Sequence, residues 1–343
     1  MSKLKCMSLV AAFLMVYGNS VAQTVSNTKE LLTALGHAQQ GAVISLNPGL
    51  YQGVDIQHFN GYVTITSANL SDRAVLGDLY LRYSSGVNLN NLIFDTTYMP
   101  TSIWGGAVTI PFQVADSKYI RLDHLLVHGS PTGTLATDNS GIIVRESDHV
   151  TVSNTEFTHI HSAINQINNT YLTIRNNQCH NLRDDCVRGG GSNYVTISYN
   201  HCWSNHPDGA TDPDHPDCVQ FWTSGTAAAA HDIYIGYNTY ERGTGNVTQG
   251  IFVRDETLTM PYRNLVIEGN VTKGASGAGV SVDGAINPIV QNNYSCAYPD
   301  WVSGMAVRNT QGTLFQNNSA TNYGYENNTA LLSVNNHTIG FCP

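Results

Sequence analysis

Aliphatic residues alternate with Thr, Ser or Tyr in short runs along most of the chain, and many of these runs end at an asparagine. The copies begin at Val150-Thr-Val-Ser-Asn154, Leu172-Thr-Ile-Arg-Asn-Asn177 and Val195-Thr-Ile-Ser-Tyr-Asn200. They continue at Ile233 to Asn238, Leu265 to Asn270, Ile289 to Asn293 and Leu314 to Asn318. Successive asparagines are 23, 23, 38, 32, 23 and 25 residues apart. Alternation of period two marks half-buried strands, and recurrence in the low twenties marks a solenoid whose coils stack strand on strand. The fold class this predicts is all-β. Further coils are expected at 62–66, 75–80, 87–94 and 119–127, with a lateral loop over 96–111. Over 27–40 the period changes: Leu31, Leu32 and Leu35 fall at helical spacing. A solenoid needs its first coil covered, so this segment is read as a short N-terminal capping helix. The asparagine column is read as structural, because Asn tolerates left-handed backbone and stacked Asn side chains bond along a column.

No stretch has linker composition, so residues 23–343 are expected to form a single domain. Residues 1–22 read as a secretory signal: Lys3 and Lys5, an apolar run from Met7 to Tyr17, then Ser20-Val21-Ala22. The run is too short to span a bilayer. Removing Lys3 and Lys5 takes the formal charge from −9 to −11. An acidic surface argues against nucleic acid as a partner but leaves room for a local basic groove. Loss of Cys6 leaves six cysteines in an exported, monomeric protein. Cys179 with Cys202, and Cys186 with Cys218, occupy matching places in successive repeats. Stacked strands about 4.8 Å apart allow these pairs to bridge or to remain buried thiols. Cys296–Cys342 would tie down the C-terminal end. The four central cysteines lack the close C-x-x-C pairs of most zinc sites.

Aligning the strand after each asparagine turn places Arg145, Gln166, Arg188, Gln220, Arg254, Ser281 and Arg308 in one outward column. Stacked arginines repel unless neutralised, by Glu146, Asp255 and Asp283 or by a bound polyanion. Arg binds carboxylates in a bidentate manner. The same alignment stacks Asp185 on Asp217, where two carboxylates about 5 Å apart must share a proton or a cation. The coil between Asn200 and Asn238 carries an insertion with Asp208, Asp212, Asp214 and His215, stiffened by prolines at 207, 213 and 216. Asp184, Asp185 and Asp217 are the candidate ligands of a Ca²⁺ ion.

The repeat from Gly41 onward resembles the right-handed parallel β-helix superfamily of pectin- and alginate-active enzymes. A closer echo is the polygalacturonases, in Asp184-Asp185-Cys186-Val187, the turn Gly189–Ser192, Val195-Thr-Ile197 and His206. The resemblance implies acid catalysis and water activation by the Asp pair, supported by the His. The chain departs from that pattern at Ala163 to Gln166, where a further Asp is absent. It departs again at Asn205-His206-Pro207, which lacks flanking glycines, and at Val253-Arg254-Asp255, which lacks a lysine.

The expected function is a secreted lyase acting on a uronate polysaccharide by β-elimination. Asp184, Asp185 and Asp217 would hold Ca²⁺ or the sugar, with Arg188 and Arg254 neutralising the uronate and His215 or His206 as base. Arg145, Gln166, Gln220, Arg308 and Trp222 would line the substrate path, and Trp203 and Tyr237 are further stacking candidates. Alternatives are an inverting glycosidase using Asp185 with Asp217 or Asp184, a uronate C5-epimerase, and a non-catalytic polysaccharide-binding adhesin.

Overall fold

The computed structural model describes residues 23–99, 110–133, 138–206, 215–275 and 277–343. The expected signal segment, most of the expected lateral loop, and Asp208, Asp212 and Asp214 lie outside the described residues.

Each coil turns through three strands, as in Val187–Gly190, Asn193–Ser198 and His201–Trp203. The three positions stack into three faces, all pairing parallel between successive coils. One sheet of 24 strands wraps the first two faces, and one of 12 strands forms the third. The strands are short because only alternate residues are apolar. Val195 and Ile197 point into the core while Thr196 points out. Inward residues stack on their equivalents one coil away, as Val150, Leu172, Val195, Ile233 and Leu265 do. Burying each such side chain contributes roughly 1.5–3 kcal/mol, so the core is one continuous aliphatic column.

The expected capping helix forms over Thr28–Gly36 and buries Leu31, Ala34 and Leu35 over the first coil. Asn27 caps it: its side-chain oxygen accepts from the Glu30 N–H, and Glu30 accepts in return from Ser26 N. The other end is tied by Cys296–Cys342.

The asparagine column is a buried ladder at the corner between the second and third faces. It runs Asn177, Asn200, Asn238, Asn270, Asn293, Asn318 and Asn336. Each Oδ1 accepts both the backbone N–H and the Nδ2 of the Asn one coil before, as Asn238 Oδ1 does from Asn200. Asn154, assigned to this column from sequence, is one place short of it. It holds left-handed backbone (φ 53°), and Thr155 donates its N–H to Asn177 instead.

Strand register on the first face corrects the expected outward column. Arg188 stacks with Asn165, Gln220, Phe252 and Ser281. Arg254 and Arg308 lie two residues further along their strands, in a row that alternates with acids: Arg254, Asp283, Arg308, Glu326. Arg145 is likewise displaced by two. A slip of two keeps a residue on the outside, so these arginines still share a face. Gln166 is misplaced by one, which turns it inward. It stacks between Val144 and Gly189, fully buried. Gly189 (φ 148°) leaves room there, since a Cβ would meet the Gln166 backbone oxygen and crowd its amide. Gln166 therefore belongs to the core rather than to a substrate path.

Candidate active site

Asp184 and Asp185 close the corner between the third and first faces, just before the strand Val187–Gly190. Asp217 opens the equivalent strand, Asp217–Phe221, one coil on. The expected stacking of Asp185 on Asp217 is present: Asp185 Oδ1 accepts the Asp217 backbone N–H at 2.6 Å. All three carboxylates are buried, Asp185 and Asp217 completely.

Arg188 turns back over this corner. Its NH1 bonds Asp184 Oδ2 and its Nε lies 3.4 Å from Asp185 Oδ2. His161, from the coil before, places Nε2 3.8 Å from the same Asp184 oxygen. Asn205 donates to the Asp184 backbone carbonyl. Arg188 is the fixed cation set against this pair of buried acids.

Asp217 is held differently. Its Oδ2 accepts from Gln220 Nε2 at 3.0 Å and lies 3.8 Å from His215 Nδ1, while Oδ1 makes no hydrogen bond among the described residues. Burial pushes its carboxyl up to about 7, only partly offset by His215 and Arg188. His215 is raised in turn, chiefly by its interaction with Asp217. The His215 side chain is 63% exposed while the Asp217 side chain is sealed, so the imidazole is the solvent-facing end of the pair.

His215 lines a cavity of ≈560 Å³ on the first face together with Arg188, Gln220, Trp222, Arg254 and Glu256. The Arg188 guanidinium lies 5.4 Å from the centre of the Trp222 ring. Arg254 has Nε 3.7 Å from Asp283 and is half-exposed. A groove of similar size, ≈590 Å³, runs along the second face among His149, Tyr171, Tyr194 and Tyr234. Size does not separate the two. The first-face cavity combines cations, an imidazole and a buried acid, so chemistry places the candidate site there.

The expected residues divide accordingly. Arg188, Gln220, Arg254, Trp222, His215 and Asp217 come together, with Asp184 and Asp185 behind them. Arg308 is paired with Glu326 (3.6 Å) and Arg145 is exposed several coils away; neither lines the cavity. His206 does not line it either; its backbone N–H bonds Leu182 O. Trp203 stacks on His180 and His201 on the third face, and Tyr237 on Tyr199, both away from the cavity. Asp255 is buried in its own turn, bonded to Thr223, Thr257 and the Met260 N–H. Missed from sequence were His161, Glu256 and Gln249. Gln249 had one legible signal, since it heads the strand that stacks on Asp217.

Among the described residues, Asp184, Asp185 and Asp217 leave no open oxygen cage for calcium. Ca²⁺ takes six to eight oxygens, whereas the Arg188 guanidinium already lies against Asp184 and Asp185. Among the described residues, the only three-residue cluster with metal-ligand atoms within 4.8 Å of one another is Cys179, Cys186 and Cys202. Asp184, Asp185 and Asp217, so occupied, do not fit the ion.

A sequence profile of right-handed β-helix regions matches residues 112–295. The chain belongs to this right-handed β-helix family. No curated protein sequence matches it. Among solved structures it is similar to a DFA-IIIase from Arthrobacter chlorophenolicus, with TM-score 0.59 and 11% identity over 89% of this chain and 93% of that one. It is similar to a lacto-N-biosidase from Eubacterium ramulus, with TM-score 0.58 and 10% identity, covering 88% of this chain but only 63% of that one. A surface adhesin of Streptococcus pneumoniae gives TM-score 0.51 and 12% identity over 93% and 92%. At such identities the likeness is one of fold.

Proposed function

We propose that the protein is an exported carbohydrate-active enzyme, a lyase that cleaves a uronate polysaccharide by β-elimination. The observation that carries this reading is the inversion of exposure at the site. The three aspartates are sealed behind Arg188 and the backbone, while an imidazole and two arginines reach the cavity. A hydrolase of the carboxylate-pair type needs two acids open to the glycosidic bond. A lyase needs a cation for the uronate carboxylate and a base for the C5 proton.

Arg254 meets the sugar carboxylate, while Arg188, its charge held by Asp184 and Asp185, forms the floor. Neutralising that carboxylate makes the C5–H more acidic. His215, with Nδ1 3.8 Å from Asp217 Oδ2, removes the proton through Nε2. The C5–H electron pair becomes the C4–C5 double bond, and the C4–O bond breaks with its pair on the glycosidic oxygen. The imidazolium returns the proton to that oxygen. Trp222 offers a ring face to a neighbouring sugar.

The test is incubation with alginate, pectate, glucuronan and glycosaminoglycans, following the ultraviolet absorbance of the unsaturated uronate end. Growth of that absorbance is expected with at least one polymer. The raised carboxyl of Asp217 favours a second reading, an inverting glycosidase in which it is the acid. New reducing ends without absorbance would decide for that reading. Neither product with any polymer would sink both.

A further inference from the structure

Four buried cysteines interrupt the aliphatic core directly beneath the candidate site. Cys179 and Cys202 are stacked neighbours on the third face, and Cys186 and Cys218 are stacked neighbours on the first. From sequence these pairs could bridge or remain buried thiols, and neither is bridged. A close sulfur contact joins one strand to the next along the chain: Cys202 Sγ and Cys218 Sγ are 2.8 Å apart. Residues in direct register point the same way from parallel strands, whereas Cys202 and Cys218 face each other across the core from different faces.

We propose that Cys202 and Cys218 form a second disulfide of this protein, closing the segment 203–217 at its base. A separation of 2.8 Å is well inside a non-bonded sulfur contact and approaches the bonded distance of about 2.0 Å. It does not suit a shared metal: tetrahedral Zn–S bonds of about 2.3 Å hold sulfurs about 3.8 Å apart. Four thiolates around a divalent ion would also leave net negative charge in the core. The side chains stacked on these cysteines, Phe157 on Cys179 and Tyr240 on Cys202, carry no cation to offset it. Oxidation breaks two S–H bonds and makes one S–S bond. The two electrons and two protons pass to a protein or small-molecule disulfide, which leaves as two thiols. Cys296–Cys342 requires the same oxidant.

The closed segment carries His206, His215 and Asp217. The bridge therefore anchors both ends of the insertion that delivers His215 to the cavity. This consequence rests on the lyase reading; the bridge itself does not.

The chain contains a single Asp–Pro bond, Asp212–Pro213, and it lies inside the closed segment. Mild acid cleaves such bonds selectively, and acid suppresses thiol–disulfide exchange by removing thiolate. Full-length protein is denatured, its free thiols are alkylated, and it is cut with acid and run without reductant. Wild type and Cys186→Ser should keep the two fragments joined until reductant is added. Cys202→Ser and Cys218→Ser should release them without it. Peptide mapping of the wild type, which depends on no variant folding, should show Cys202 and Cys218 linked. Release of the wild-type fragments without reductant, release in Cys186→Ser, or alkylation of all four cysteines with one bound metal per chain would each overturn the proposal.

Discussion

Two corners of the same coils handle buried polar groups in opposite ways. At the corner between the second and third faces, Asn177, Asn200, Asn238 and their successors repeat one solution, each side chain satisfying the coil before it. At the corner between the third and first faces, Asp184, Asp185 and Asp217 occur in two adjacent coils only, and their partners differ from coil to coil. A polar group repeated in every coil and fully bonded is accounted for by folding. A polar group confined to one pair of coils, with an oxygen left unbonded and a carboxyl pushed to about 7, is not.

Breaking the ladder should have the largest effect. Asn238→Ala orphans the buried Asn200 N–H and the Ile197 carbonyl, costing on the order of 3 kcal/mol. Denaturant unfolding should show it, while turnover per folded molecule stays unchanged. If turnover fell with stability intact, the ladder would not be purely structural. At the other corner, Arg254→Ala should lower kcat/KM about 10- to 100-fold, the worth of a charge-assisted bond, with the midpoint of unfolding nearly unmoved. Arg308→Ala, whose arginine pairs with Glu326 in the same row, should change neither by more than about 0.5 kcal/mol. Equal losses in the two variants would erase the distinction between cavity and row.

Asp217→Asn sharpens the comparison through pH. The Asp217 carboxylate favours the imidazolium form of His215, so the free base appears only above a raised pKa. Removing that charge lowers the His215 pKa, and the acid limb of the kcat/KM profile should move to lower pH. A limb that stays in place would show that His215 is not the titrating base. The smallest effect expected is that of EDTA, which should leave the rate unchanged. Loss of activity on chelation would restore the calcium reading.

The coils were legible because aliphatic alternation is enforced at every stacked position, as in Val195, Ile233 and Leu265. The stacking of Asp185 on Asp217 was legible for the same reason: Cys-Val follows both and locks their register. Finer register was not. Gln166 lies inside the strand Ile164–Ile167, where Asn165 is equally polar, so nothing in the composition showed which of the two faced the core. The arginine column failed by two residues, a shift that leaves the in–out pattern unchanged. His206 and His215 both flank the insertion, and only the fold shows that His215 reaches Asp217. The contact between Cys202 and Cys218 was not legible, because stacking sets which residues are adjacent, whereas sulfur contact depends on which side chains face each other.

The central claim is that His215 removes the C5 proton of a uronate at the place where the repeat is interrupted. Its most direct test compares wild type and His215→Gln on a panel of uronate polymers, reading unsaturated product by absorbance at equal folded concentration. Wild type should generate the product, and the variant should do so about 10²- to 10⁴-fold more slowly, the usual worth of a positioned base. Equal rates for the two proteins, or new reducing ends with no unsaturated product, would contradict it.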